Sequence, residues 1–264
     1  MTDWLAVGRA LVDDARCVLV DLPTRVEREP VVGTGKGGDE TTAIDDAVER
    51  GVIARLDALL DDYTLVSEEI GEVTKGSGTP RLVLDPIDGS LNAKRGVPHF
   101  CLSLAVADGD TMKDVTYGYV YDFGSGEEWT ARRGEGAWVN GERLGDVRPK
   151  DELELLAFEA TLTSSIAEKA GAVVGVAHRL RVMGSLALAL CNLAAGRLDG
   201  VCSLKGARSV EIAAAQLLIR EVGLAIELFE APPFDDAPLD LEARSRVVAA
   251  ANGELCARLA AALA

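Results

Sequence analysis

The sequence predicts an α+β fold in which layers of helix and sheet alternate, and three observations carry that expectation. Over residues 41–60, Ile44, Val48, Val52, Leu56, Leu59 and Leu60 recur at helical spacing. Residues 101–107, 115–121 and 127–132 read as strands joined by short turns, the pattern of an antiparallel sheet. Beyond Pro149-Lys150-Asp151 strand-like and helix-like runs alternate, and helices 185–195 and 210–222 are apolar nearly all round, so they belong between sheets. The expected organisation is an N-terminal half, 1–150, with the antiparallel sheet, and a C-terminal α/β half, 151–264, joined as one unit.

Taken in order, residues 1–20 carry Arg9, Asp13, Asp14 and Arg16 among apolar neighbours and read as an amphipathic helix, not a secretory signal. After helix 41–60 come two apolar runs, Tyr63-Thr64-Leu65-Val66 and Arg81-Leu82-Val83-Leu84, each a buried strand. The first ends at Ser67-Glu68-Glu69-Ile70-Gly71-Glu72. The second stops where Leu84-Asp85-Pro86-Ile87-Asp88-Gly89-Ser90-Leu91-Asn92 begins. Neighbouring strands ending at one edge bring Glu68 to Asp85 and Asp88, and carboxylates so placed repel one another unless cations neutralise them. Hard cations such as Mg²⁺ take carboxylate and carbonyl oxygens and share their shell with phosphate. Pro86 stiffens the corner, and Gly89 lets backbone N–H groups approach an anion.

Further on, Asn140-Gly141 closes a hairpin. Strand 153–158, helix 185–195, strand 198–202, helix 210–222 and strand 224–228 follow. Residues 230–240, rich in Pro and Asp, read as a surface loop, and a short strand at Val247-Val248 precedes a helix from Glu254. Ser209 is suited to cap helix 210–222, and Glu211 in its first turn is favourable against the helix dipole.

With its acidic pair upstream, Asp85-Pro86-Ile87-Asp88-Gly89-Ser90-Leu91-Asn92 resembles the signature of the inositol monophosphatase and fructose-1,6-bisphosphatase superfamily, Mg²⁺-dependent, lithium-sensitive sugar phosphatases. Lys36-Gly37-Gly38-Asp39 with Thr42, Asp45 and Glu49 is similar to the family's early positions. So are the stretch from Gly96 to Ser103, the hairpin from Gly134 to Gly141, and Arg181-Val182-Met183-Gly184-Ser185. The resemblance spans nearly the whole chain and implies the α-β-α-β-α sandwich of the sugar phosphatases. It implies two or three Mg²⁺ ions: Glu68, Asp85 and the Ile87 carbonyl for the first, with Asp85, Asp88 and Glu211 for the second. Asp45, Ser90 and Glu69 would handle the attacking water. Asp88, Gly89, Ser90, Arg181, Ser185 and Arg208 would contact a small phosphorylated sugar or polyol such as inositol-1-phosphate or fructose-1,6-bisphosphate. A homodimer is the family's usual assembly.

Two positions depart from the pattern at the centre of the site. Glu211 stands where aspartate is expected, and Ser90 where threonine is expected. The stretch from Val201 to Arg208 lacks the acid that inositol-specific members use. Arg181 and Arg208 instead offer cationic forks for a second phosphate, which leans toward the archaeal type. Two alternatives stand beside this reading: a 3′-phosphoadenosine 5′-phosphate phosphatase, and a catalytically weakened paralogue that binds metal or sugar phosphate in a regulatory role.

Composition narrows the rest. Among 264 residues, 27 are Lys or Arg and 43 are Asp or Glu, a net charge of −16. No basic stripe exists for nucleic acid, and the acidic excess fits a high-salt cytoplasm. Five scattered cysteines read as buried reduced thiols, and with two histidines a His-rich metal cluster or catalytic triad is not expected. No apolar run approaches the roughly 18 residues of a membrane span, so a soluble cytoplasmic protein is expected.

Overall fold

The computed structural model describes residues 2–36, 38, 40–150, 152–159, 162–230 and 232–264. Gly37, Asp39 and Asp151 of the motifs above lie outside the described residues. The chain opens with α1 (Trp4–Asp21), whose N-cap Asp3 accepts from the Ala6 N–H, and a single turn, α2 (Arg25–Arg28). A ribbon of β1 (Val31–Thr34) and β2 (Glu40–Thr42) leads into α3 (Ala43–Leu59).

An eight-stranded sheet follows. Its strands are β3 (Tyr63–Ser67), β4 (Gly71–Lys75), β5 (Arg81–Asp88) and, after the short α4 (Ser90–Arg95), β6 (Cys101–Ala107), β7 (Val115–Asp122), β8 (Glu128–Arg132), β9 (Gly136–Val139) and β10 (Glu142–Arg143). The order is β10-β9-β8-β7-β6-β5-β3-β4. Every neighbouring pair is antiparallel except β3 and β5, which run parallel. Asn140 (φ 51°) and Gly141 (φ 81°) form the expected two-residue turn, both in the left-handed region that such hairpins require.

The second sheet has five strands in the order β12-β11-β13-β15-β14. Along the chain these are β11 (Leu153–Glu159), α5 (Thr163–Lys169), β12 (Ala177–Arg181), α6 (Leu186–Ala194), β13 (Gly200–Ser203), α7 (Ser209–Glu221), β14 (Ala225–Leu228), β15 (Val247–Ala250) and α8 (Gly253–Leu263).

Strand alternation assembles the layers. Leu82 and Leu84 of β5 point to one side and pack with Leu11, Ile44, Val48 and Leu56 of α1 and α3. Val83 between them points to the other side, into the core that holds α6 and α7. Those two helices are buried nearly all round, between the sheets. Beyond the second sheet α8 packs Leu255, Leu259 and Leu263 on Leu156, Phe158 and Val248. The result is the expected α-β-α-β-α sandwich. Gly118 of β7 sits so close to α7 that a Cβ there would lie 2.5 Å from the Ala214 carbonyl oxygen.

Several local expectations are corrected. Strand β5 does not stop at Asp85; it continues through an irregularity to Asp88. Strands β4 and β12 and helix α5 carry too many polar, exposed side chains for apolar periodicity to reveal them. The loop at 230–240 is not all surface, because Phe234, Ala237 and Leu239 are buried. The N-cap of α7 is Arg208, whose N–H is accepted by Glu211, while the Ser209 hydroxyl donates to the Asp240 carbonyl. Cys17 is exposed; the other four cysteines are buried, and all five are free thiols. Among the described residues no helix is long and apolar enough to cross a membrane.

Candidate active site

The parallel pairing of β3 and β5 sets Ser67 beside Leu84. The next residues along the chain, Glu68 just past the end of β3 and Asp85 still within β5, therefore come to the same edge. Past Asp85 the backbone buckles: Asp85 Oδ1 accepts from the Ile87 N–H at 3.0 Å, and Ser90 Oγ donates to the Ile87 carbonyl at 3.0 Å. Gly89 takes φ 97°, a left-handed turn into α4 that a Cβ would crowd against backbone oxygens of His99 and Gly184.

A cavity of about 170 Å³ opens over this corner. It brings together Asp45, Glu68, Glu69, Asp85, Ile87, Asp88, Gly89, Ser90, Arg208 and Glu211 of the predicted residues, and adds Glu40 and Lys205. A larger groove of about 330 Å³ beside Arg220 and Phe234 lies apart from these carboxylates.

Outer helix α3 braces the site. Buried Glu49 accepts from Ser67 Oγ at 2.5 Å and from the Glu69 N–H at 3.2 Å, which fixes the loop carrying Glu68. Asp45 Oδ2 caps α3 by accepting from the Thr42 N–H (3.1 Å) and hydroxyl. Its Oδ1 is buried and has no hydrogen-bond partner among the described residues. Thr41 donates its hydroxyl to Glu69.

The middle helices close the other side. Asp88 Oδ2 accepts from Ser185 Oγ (2.6 Å) and the Ala187 N–H (2.8 Å) at the start of α6. Ser185 is thus buried beneath Asp88 and does not line the cavity. Arg208 is buried, not a surface residue, with Nη2 2.6 Å from Glu68 Oε1. Glu211 is held at both oxygens: Oε1 by Lys205 Nζ at 3.0 Å, Oε2 by the Arg208 N–H at 2.7 Å. Arg181 is the one predicted contact that falls away altogether. It lies on exposed edge strand β12, its Nη1 donates to the Leu180 carbonyl, and it does not line the cavity.

Besides Glu40, two members of the site were missed. Glu159 ends β11 opposite Ser203 of β13, accepts from the Gly184 N–H at 2.9 Å, and lines a pocket of about 40 Å³ with Asp88, Lys205 and Glu211. The signal available was an apolar strand ending in an acid. Lys205 follows β13 in the same short loop as Arg208, and only the arginine was singled out.

Burial dominates the electrostatics, and like charges add to it. Burial pushes the Asp85 carboxyl well above its ordinary range, and Glu68, Asp88 and Glu211 push it further. Asp88 is raised to about 6 by burial and Glu211, eased by Ser185 and Ala187. Burial raises Glu159 to about 8. For Lys205, burial pulls downward but Glu211 and Asp88 outweigh it, and the ammonium is held above its usual range. An all-oxygen donor set of crowded carboxylates plus the Ile87 carbonyl suits a hard divalent cation at Glu68 and Asp85. Glu211 does not suit one in the same way, since the chain's own donors hold both its oxygens. Among the described residues no three His, Cys, Asp or Glu side chains are already grouped closely enough to hold a metal ion.

Residues 12–264 match the inositol monophosphatase family. The chain belongs to that family. It is a phosphatase, a hydrolase of phosphoric monoesters, in a family of metal-dependent enzymes. A fructose-1,6-bisphosphatase/inositol-1-monophosphatase of Thermococcus kodakarensis is 34% identical over 225 residues, 85% of this chain and 83% of that protein. A protein of the same description from Archaeoglobus fulgidus is 32% identical over 94% of this chain and 93% of its own length. The Nus factor SuhB of Pasteurella multocida is 34% identical over 70% of each. The solved structure of an inositol monophosphatase-fructose 1,6 bisphosphatase superposes with a TM-score of 0.84 at 26% identity, covering 99% of this chain and 100% of that one.

Proposed function

We propose that this phosphatase is Mg²⁺-dependent and acts on small anionic sugar or polyol phosphates, inositol-1-phosphate and fructose-1,6-bisphosphate among them. The observation that carries the reading is one cavity lined by Glu68, Asp85 and Asp88 together with Asp45 and Ser90. Glu68, Asp85 and the Ile87 carbonyl would hold Mg²⁺, which, when bound, lowers the proton affinity of water and offsets phosphate charge. The chain's own groups do the positioning. Ser90 spends its proton on the Ile87 carbonyl, so its lone pairs are left to accept from a water. Asp45 Oδ1, buried without a hydrogen-bond partner among the described residues, is the acceptor for that water's proton. Glu69 shapes the wall between them. The N–H groups at Gly89 and Ser90 meet the phosphate oxygens, and Lys205 and Arg208 draw the anion in.

The names of the archaeal relatives support both substrates. Arg208, buried against Glu68, and Arg181, out on β12, offer no free fork for a second phosphate, so the preference for a bisphosphate loses its sequence argument. A homodimer in a salt-rich cytoplasm completes the reading. The engagement of both Glu211 oxygens favours a second reading, a paralogue with weakened turnover in a regulatory role.

Phosphate release from inositol-1-phosphate, fructose-1,6-bisphosphate and 3′-phosphoadenosine 5′-phosphate, with and without Mg²⁺, separates these readings. Mg²⁺-dependent release from the first two is expected. Asp88→Asn should lower it by roughly 10³-fold or more, several kcal/mol of transition-state stabilisation, while the protein still unfolds cooperatively. Undiminished turnover in that variant would remove the site assignment, and no release by the wild type from any substrate would leave the regulatory reading.

A further inference from the structure

We propose that the Lys205 ammonium is this chain's built-in replacement for a second divalent cation, so that the cavity takes one ion, at Glu68, Asp85 and the Ile87 carbonyl. The inference rests on the metal-dependent reading above and concerns what Glu211 does within it. A carboxylate that serves a metal needs an oxygen available to it. Here Oε1 accepts from Lys205 Nζ at 3.0 Å and Oε2 accepts from the Arg208 N–H at 2.7 Å, closing the capping box of α7. The carboxyl at the third position of α7 turns back onto the N-cap N–H, as that of Asp45 does in α3.

Charge bookkeeping points the same way. Asp85, Asp88 and Glu211 are all buried and crowd three carboxylates around one cavity. Lys205 lines both the larger cavity and the smaller pocket beyond it, next to Asp88 and Glu211. A single fixed positive charge at that spot relieves the repulsion that a mobile ion would otherwise relieve, and no solvent ion has to be dehydrated to do so.

The test counts metal directly. Mn²⁺ bound per chain is measured by equilibrium dialysis with electron paramagnetic resonance detection, with and without inorganic phosphate, in the wild type and in Lys205→Met, Lys205→Arg and Glu211→Gln. Glu211→Gln keeps an amide oxygen for the Arg208 N–H, and Lys205→Arg keeps the cation, so both safeguard against simple misfolding. The expected counts are one ion in the wild type, Lys205→Arg and Glu211→Gln, with Mn²⁺ affinity in Glu211→Gln within about threefold of wild type, and two ions in Lys205→Met. Two or more ions in the wild type, loss of an ion in Glu211→Gln, or a count of one in a folded Lys205→Met each overturns the inference and leaves the phosphatase reading standing. No bound Mn²⁺ in the wild type overturns the metal-dependent reading itself.

Discussion

Glu159 shows how one side chain ties the site to stability. Its ordinary value is near 4.3, and in the folded protein burial lifts it to about 8. Between those values the native state holds a proton that the unfolded chain has released. Its contribution is therefore fully present at low pH and is lost as pH rises through the window, at about 1.4 kcal/mol per unit. Glu159→Gln removes the ionisation and keeps an acceptor for the Gly184 N–H. Relative to wild type, the variant should gain several degrees in Tm at pH 9 and little or nothing at pH 5, both without divalent ions. An equal difference at the two pH values would mean that the carboxyl is not buried as described. At this scale the sequence was readable where chemistry is written contiguously. Glu68, Asp85, Ile87, Asp88, Gly89 and Ser90 all reached one cavity with Asp45. It was silent where the relation is purely spatial: Lys205 and Glu159 matter because of what β11 and β13 bring to them. Arg181 misled because a motif preceding a helix does not reveal that its first residue sits on an exposed edge strand.

Among the elements, α7 packs closely against β7. Its small residues Ala213, Ala214 and Ala215 are fully buried, and the approach of β7 is possible only because residue 118 lacks a side chain. Gly118→Ala puts a methyl group against backbone that cannot swing away. A loss of about 3 kcal/mol is expected, at the upper end of what overpacking costs, read as a lower denaturant midpoint with unchanged slope. A midpoint within error of wild type would mean that α7 can shift. Helix and strand existence was largely legible because the burial faces impose clear periods: every fourth or so residue of α3 points inward, and alternate residues of β5 go to opposite cores. What escaped was edge structure. Strand β4 buries only its first residue, so no hydrophobic alternation announces it.

For the molecule as a whole, a net charge of −16 sets the response to salt. Many ion pairs are well exposed, such as Lys113–Asp236 and Arg50–Asp46, so their net stabilisation is small and screening forfeits little. Relief of self-repulsion should then win: at 1 M salt the screening length is about 3 Å. Thermal unfolding in KCl from about 0.1 to 2 M should show Tm climbing throughout. A flat or falling curve would disconnect the acidic surface from a saline habitat. The layered architecture was legible because two helices apolar on every side can only lie between sheets.

The cavity and its adjoining pocket draw on four of the five layers in turn: Asp45 from the outer helices, Asp85 and Asp88 from the first sheet, Glu211 from the central helices, and Glu159 from the second sheet. Whatever seats there works as a rivet through the laminate, gripping only the fully stacked chain and adding to its resistance to heat by mass action. A lesion that lets either sheet slip, however distant from the carboxylates, should therefore reach the chemist first as a weakened grip on the ion.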